Sequence, residues 1–210
     1  MLIVLLFIAL TVILVASPLT ASSIVIVACW GTALIVWIVG AFYNARRSGV
    51  VRSRSPMNKW IGVSAIVVII LISIVPIDWH RTFDEPVWLR LLGGFVLVGS
   101  TAFTIWARVR LGRMWSSMAV EREDHQLRTD GPFAVTRHPI YTGMLGMLAG
   151  TAMVSGEATW IVALIGGAVI LETKAVVEER LLLNVFPDEY PRYRKRVPQM
   201  IPLTRLRRPA

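Results

Sequence analysis

The chain is poor in charge, and poorest in negative charge. Of its 210 residues only 17% are Asp, Glu, Lys or Arg, and 13 acids stand against 22 bases for a formal net charge of +9. A typical soluble domain has about a quarter of its residues charged and lacks long unbroken apolar runs. Here 55% of residues are hydrophobic and mean hydropathy is +0.64, which excludes an ordinary water-soluble globular fold. Cysteine is nearly absent: Cys29 stands alone inside an apolar run, so an internal disulfide is excluded and the residue reads as small packing. The three histidines, His80, His125 and His138, have no cysteine companions, and no metal site is expected. No Gly-x-Gly-x-x-Gly occurs, which removes a dinucleotide-binding domain of the Rossmann kind.

What is present is a series of apolar runs, several near or above the roughly 18 residues that span a bilayer core. They predict an all-α integral membrane protein with about six transmembrane helices. The first covers Leu2–Ala16, the second Ser22–Tyr43, the third Lys59–Val75, the fourth Pro86–Arg108, the fifth Pro139–Val154 and the sixth Ala158–Val185. Pro86 and Pro139 suit a first helical turn, where a missing N–H would have no partner anyway. The small residues Val15-Ala16-Ser17 resemble a signal-peptide cleavage site, but no basic residue precedes the apolar core, so the first helix is read as retained.

The bases fall in three regions. Arg46, Arg47, Arg52, Arg54 and Lys59 lie between helices two and three, without an acid. Arg108, Arg110, Arg113, Arg122, Arg128 and Arg137 lie between four and five. Arg180, Arg192, Arg194, Lys195, Arg196, Arg205, Arg207 and Arg208 lie near or beyond the end of helix six. Six spans put all three regions on one side, and the positive-inside rule makes that side cytoplasmic, together with both termini. The acidic segment Asp78 to Glu85 then faces out. Topology thus accounts for the basic excess, and no nucleic-acid partner is expected. Nothing calls for an obligate protein partner. The terminal arginines are read as an anchor to anionic lipid.

Helices five and six are joined by little more than Ser155-Gly156-Glu157, which forces an antiparallel hairpin. The start of helix five, Arg137-His138-Pro139-Ile140-Tyr141, is thereby expected beside Lys174 and Glu178-Glu179 near the end of helix six. Ionisable groups at a membrane edge are costly and usually mark a site. Lys174 and Glu178, four apart, share a helix face and would also serve as a plain intrahelical pair. Alone, His138 reads equally as a helix cap and Tyr141 as an interfacial aromatic; their convergence favours function. The polar linker from Trp115 to Thr136, with a turn at Asp130-Gly131-Pro132, lies beside the same end.

The ordered set Leu111-Gly112, Trp115-Ser116, His125-x-Leu127, Gly131-Pro132-Phe133, Arg137-His138-Pro139-x-Tyr141, Glu178-Glu179, Phe186-x-x-Glu189-Tyr190-x-x-Tyr193, Val197-Pro198 and Pro202 resembles the isoprenylcysteine carboxyl methyltransferase family, with much of the pattern shared by phospholipid N-methyltransferases. The resemblance covers about residues 86–203 and divides the chain into N-terminal transmembrane helices, 1–85, and a methyltransferase core with donor-binding loop and tail, 86–210. It implies S-adenosylmethionine as cofactor in a cytoplasmic pocket, held by His125, Gln126, Leu127, Arg128, Phe133, His138, Pro139, Ile140, Tyr141 and Glu178. It implies Lys174, Arg137 and Glu178 as the catalytic set, acting on a lipid or prenylated substrate. Four positions depart from the pattern: Phe133 stands where Tyr is common, Met118 where a donor-contacting Gln is expected, Pro187 where Gly is common, and Lys174 where protein-methylating members carry Arg. Lys is a point charge and Arg a two-pronged grip on carboxylates, so the last departure bears on the acceptor more than on the donor. The expected reaction is methylation of a prenylcysteine carboxylate or similar lipid-linked acid. The alternatives are phospholipid headgroup N-methylation, which needs a base to expose a neutral amine, and a non-enzymatic membrane scaffold.

Overall fold

A computed structural model describes residues 20–47, 51–54, 63, 86–112, 120–122 and 127–200. The first expected helix lies outside these residues, as does the third apart from the helical Val63. The second, fourth, fifth and sixth are α1 (Ala21–Arg47), α2 (Val87–Leu111), α3 (Pro139–Ser155) and α4 (Ala158–Val185), followed by the short α5 (Glu189–Arg196). Pro86 precedes α2 in extended conformation, and Pro139 occupies the first turn of α3. The second and fourth helices run past their expected ends to Arg47 and Leu111. The added turns carry Arg46, Arg47 and Arg110, cations that suit the negative end of a helix dipole. Outside the helical bundle, β1 (Val51–Arg54) pairs antiparallel with β2 (Val120–Arg122), a small ribbon that apolar periodicity does not reveal.

Ala21–Asn44, Val87–Leu111 and Ala158–Val185 are long and apolar enough to cross a membrane. At 1.5 Å per residue α4 is about 42 Å long, against a hydrocarbon core of about 30 Å. The helix is thus longer than that core is thick, and Lys174, Glu178 and Glu179 occupy its last three turns.

The α3–α4 hairpin is as tight as its sequence requires. Gly156 adopts φ 66°, ψ 12° and its N–H closes α3 on the Ala152 carbonyl. Against α2, α3 packs through small residues. A Cβ on Gly150 would lie 2.6 Å from the Leu97 backbone nitrogen and 2.8 Å from the Gly93 carbonyl oxygen. Gly143 meets Thr104, and Gly146 meets Ser100, equally closely. Within lipid no hydrophobic effect drives helices together, so close backbone approach of this kind supplies the association. One apolar cluster joins Trp30 and Ala33 of α1 to Leu97, Met147, Leu148 and Trp160. The buried Trp30 indole donates to Thr151 Oγ1 at 3.1 Å, which satisfies a polar group where no water is at hand. A second cluster, with Trp37, Ala107, Ile140, Tyr141, Met144, Leu171 and Ala175, lies under the polar end of the hairpin and takes in Met200 from the tail.

Candidate active site

The site is built at the junction of α3, α4, α5 and the tail. Proline at position 139 disfavours helical backbone for the residue before it. His138 accordingly sits at φ −121°, ψ 63° outside α3, and its carbonyl receives the Tyr141 and Thr142 amides. The freed amides of Arg137 and His138 donate to the carbonyls of Pro198 and Gln199 at 2.9 and 3.0 Å. Thr142 Oγ1 donates to the Met200 carbonyl at 2.7 Å, and Gln199 Nε2 to Glu172 at 3.2 Å. Residues 197–200 thus form a strap across the start of α3.

Three groups meet around Glu178. Tyr141 donates its hydroxyl to Glu178 Oε1 at 2.6 Å. His138 Nδ1 lies 3.6 Å from Oε2, and Lys174 Nζ 3.8 Å from Oε1. The Lys174 ammonium also faces the Tyr141 ring, 5.1 Å from its centroid, while the His138 ring stacks parallel to Tyr141 at 5.3 Å. These contacts follow from helix geometry: Lys174 and Glu178 are one turn apart, and the hairpin lays Tyr141 against both.

Glu179 points elsewhere, because one residue along a helix turns about 100°. Its Oε1 accepts Arg137 Nε at 2.8 Å and Nη2 at 2.7 Å and lies 3.4 Å from His138 Nε2. Its Oε2 lies 3.4 Å from Arg194 Nε. The Glu179 side chain is 8% exposed and the Glu178 side chain 22%. Burial alone would lower the pKa of His138, but the close negative charges of Glu178 and Glu179 outweigh it and hold the imidazole above its usual value.

The loop before α3 is pinned from α5. Gly131–Ala134 forms a short 3-10 turn, and the buried Tyr193 hydroxyl donates to the Phe133 carbonyl at 2.6 Å. Burial raises the pKa of Tyr193, and of Tyr190 beside it, so both stay neutral. On the exposed side Asp130 pairs with Arg110, whose hydrogen bond lowers the carboxyl pKa.

Of the residues singled out in the sequence, His138, Pro139, Ile140, Tyr141, Lys174 and Glu178 converge, and Phe133 is buried in the adjoining loop. Arg137 is also there, but its guanidinium is held by Glu179 and by the Val197 and Arg194 carbonyls at 2.6 and 3.2 Å. Leu127 and Arg128 are half-buried in the loop. His125 and Gln126 lie outside the described residues. Sequence reasoning missed the separate duty of Glu179, the Tyr193 latch and the strap. It also missed Arg108, which packs over Gly40 and shares the Gly112 carbonyl with Asn44, each donating at 3.3 Å. The only available signal was the Tyr190-x-x-Tyr193 and Val197-Pro198 spacing, which marks these residues without naming their contacts.

Among known proteins, the family model described as phospholipid methyltransferase matches residues 88–189, which contain most of this site. The chain is 35% identical over 102 residues to the protein-S-isoprenylcysteine O-methyltransferase of Schizosaccharomyces pombe, covering 46% of this chain and 42% of that protein. It is 30% identical over 160 residues to the nickel-cobalt-cadmium resistance protein NccN of Alcaligenes xylosoxydans xylosoxydans, covering 70% and 69%. The chain belongs to the isoprenylcysteine carboxyl methyltransferase family. The cobalt-zinc-cadmium resistance protein CzcN of Cupriavidus metallidurans matches at 29% identity over 59% of this chain and 53% of its own length. The chain thus spans about half the length of the first two of these curated relatives in rank, the fission-yeast protein and CzcN. In fold it resembles the eukaryotic intramembrane Ras methyltransferase ICMT, with a TM-score of 0.53 at 20% identity over 91% of this chain and 70% of that one. Two family relatives are named for metal resistance, yet no group of three metal-ligating side chains occurs among the described residues.

Proposed function

We propose that the chain is an S-adenosylmethionine-dependent methyltransferase that methylates the carboxylate of a prenylcysteine or similar lipid-linked acid. The observation that carries this reading is Glu178. It is a partly open carboxylate ringed by His138, Tyr141 and Lys174, in the last turns of a helix long and apolar enough to cross a membrane. The donor's amine and ribose call for acceptors, and a carboxylate with lone pairs to spare meets that need. Its amino-acid carboxylate calls for a donor group, and the buried Arg128 Nε is without a hydrogen-bond partner. The residues present therefore fit the cofactor. When bound, S-adenosylmethionine supplies an electrophilic methyl carried on a positively charged sulfur.

The chain's own residues do the rest. Glu178 holds the donor, with Tyr141 and His138 fixing the carboxylate's orientation. Ile140, Pro139 and Phe133 wall the pocket and exclude water, which strengthens each charge interaction inside it. Leu127 and Arg128, with His125 and Gln126 before them, complete the donor loop. Lys174 orients an anionic acceptor as a point charge, and a carboxylate acceptor, already ionised, needs no base. Methyl transfer of this kind depends on in-line positioning and electrostatics. Arg137 acts by placing the tail rather than by touching substrate. The distribution of basic residues in the sequence supports a cytoplasmic face for this end of the bundle and for both termini.

The phospholipid methyltransferase match favours one second reading, N-methylation of an aminophospholipid headgroup. Radiolabelled methyl transfer into lipid and protein extracts distinguishes the two. Label released by base as volatile methanol is a methyl ester and supports the first reading; label that stays non-volatile on the deacylated phospholipid headgroup supports the second. No transfer into either pool removes both.

A further inference from the structure

We propose that Glu179 is a positioning residue that locks the His138 ring to the C-terminal strap and so keeps the open side of Glu178 presented to the donor. The inference rests on the donor reading above. Two adjacent carboxylates stand at the end of α4, and they are not equivalent. Glu178 keeps a solvent-facing side. Glu179 does not: two Arg137 nitrogens and His138 Nε2 surround Oε1, and Arg194 faces Oε2. With these cations around it and only 8% of its side chain exposed, Glu179 presents far less surface to a ligand than Glu178.

Its partners all lead to the strap. Arg137, while bound to Glu179, donates to the Val197 and Arg194 carbonyls, and Arg194 itself faces Glu179. The amides of Arg137 and His138 bind the strap at Pro198 and Gln199. His138 thus lies between two carboxylates, with Nδ1 3.6 Å from Glu178 and Nε2 3.4 Å from Glu179 in charge contacts rather than hydrogen bonds, and its face stacks on Tyr141. Removing the Glu179 charge frees the ring on one side and loosens residues 194–200 from α4. The ring then no longer fixes Glu178. The charged and titratable groups facing His138 are Glu178 and Glu179 of α4 and Tyr141 of α3; behind these two carboxylates stand Lys174 of α4, Arg194 and Tyr190 of α5, and Arg137 of its own segment.

The test compares Glu179→Gln and Glu179→Asp in the full-length protein in detergent. For Glu179→Gln the KM and Kd for S-adenosylmethionine should rise on the order of tenfold, the scale of one charge-assisted hydrogen bond, with a smaller change in kcat. The His138 imidazole, followed by NMR and assigned with His138→Asn, should titrate at lower pH than in the wild type. Trypsin should cut faster after Arg194, Lys195 and Arg196. Glu179→Asp keeps the charge and should move all three readouts back toward wild type. Unchanged imidazole titration and unchanged trypsin rate in Glu179→Gln overturn the proposal. So does a loss confined to melting temperature and active fraction at constant KM. If the wild type fails to bind S-adenosylmethionine, the donor reading falls, and the titration and proteolysis still decide the clamp.

Discussion

Replacing Glu178 by Gln is the sharpest perturbation of the donor site, because it removes a charge and almost no volume. Tyr141 can still donate to the amide oxygen across the present 2.6 Å, so local packing survives. What is lost is charge toward the donor amine and toward Lys174, whose side chain is 6% exposed and has Glu178 as its ion-pair partner among the described residues. One charge-assisted hydrogen bond to the donor contributes about 1.5–3 kcal/mol, so its loss weakens donor binding roughly ten- to a hundredfold. Breaking a buried ion pair costs about 3–5 kcal/mol. Because Glu178 is partly open to solvent, we expect a stability loss of about 1–2 kcal/mol here. The assay is calorimetric titration of S-adenosylmethionine into detergent-purified protein, with Glu157→Gln at the far end of the hairpin as the control. The control should bind as wild type. A wild-type Kd in Glu178→Gln would refute the assignment, since no other described carboxylate at this end is both open and ringed by His, Tyr and Lys.

The remaining predictions concern packing, the latch and pH. Gly150→Leu should destabilise the protein by about 1–3 kcal/mol or more, since overpacking meets rigid backbone at Leu97 and Gly93; thermal unfolding in detergent reads this directly, and an unchanged melting temperature would contradict the α2–α3 contact. Tyr193→Phe removes the hydroxyl that caps the Phe133 carbonyl and should lower stability by about 1 kcal/mol, with trypsin cleavage of the loop before α3 accelerated. His138 has a raised folded pKa, so its carboxylate contacts stabilise the fold fully below the unfolded imidazole value of about 6.5. That contribution is lost as pH rises through the higher folded value. The melting temperature should therefore fall as pH rises through that interval, and His138→Asn should flatten the profile.

Much of the site was legible because a short connection leaves little freedom. With three residues between two apolar helices, residues near their far ends must meet, and Arg137, His138 and Tyr141 do lie against Lys174, Glu178 and Glu179. Helix limits were legible where a residue type dictates them: Pro139 and Gly156 bound α3 as a first-turn proline and a left-handed cap. The ends of α1 and α2 were not, since arginine extends a helix as readily as it leaves one. The α2–α3 interface was hidden because a glycine reports that something comes close without reporting what. The different duties of Glu178 and Glu179 were hidden for a like reason: a pair of adjacent acids names no direction until a neighbour from another element is in place.

The sequence by itself determined a membrane-embedded helical chain, the hairpin and the set of polar side chains at its end, because apolar length, loop length and helical period act within contiguous segments. Only the tertiary structure decided which carboxylate stays open, which one binds the tail, and that residues 197–200 cross the start of α3. Those outcomes depend on backbone carbonyls some 60 residues away from Arg137 in sequence, at Arg194 and Val197. Every residue carries such a carbonyl, so no residue type announces it.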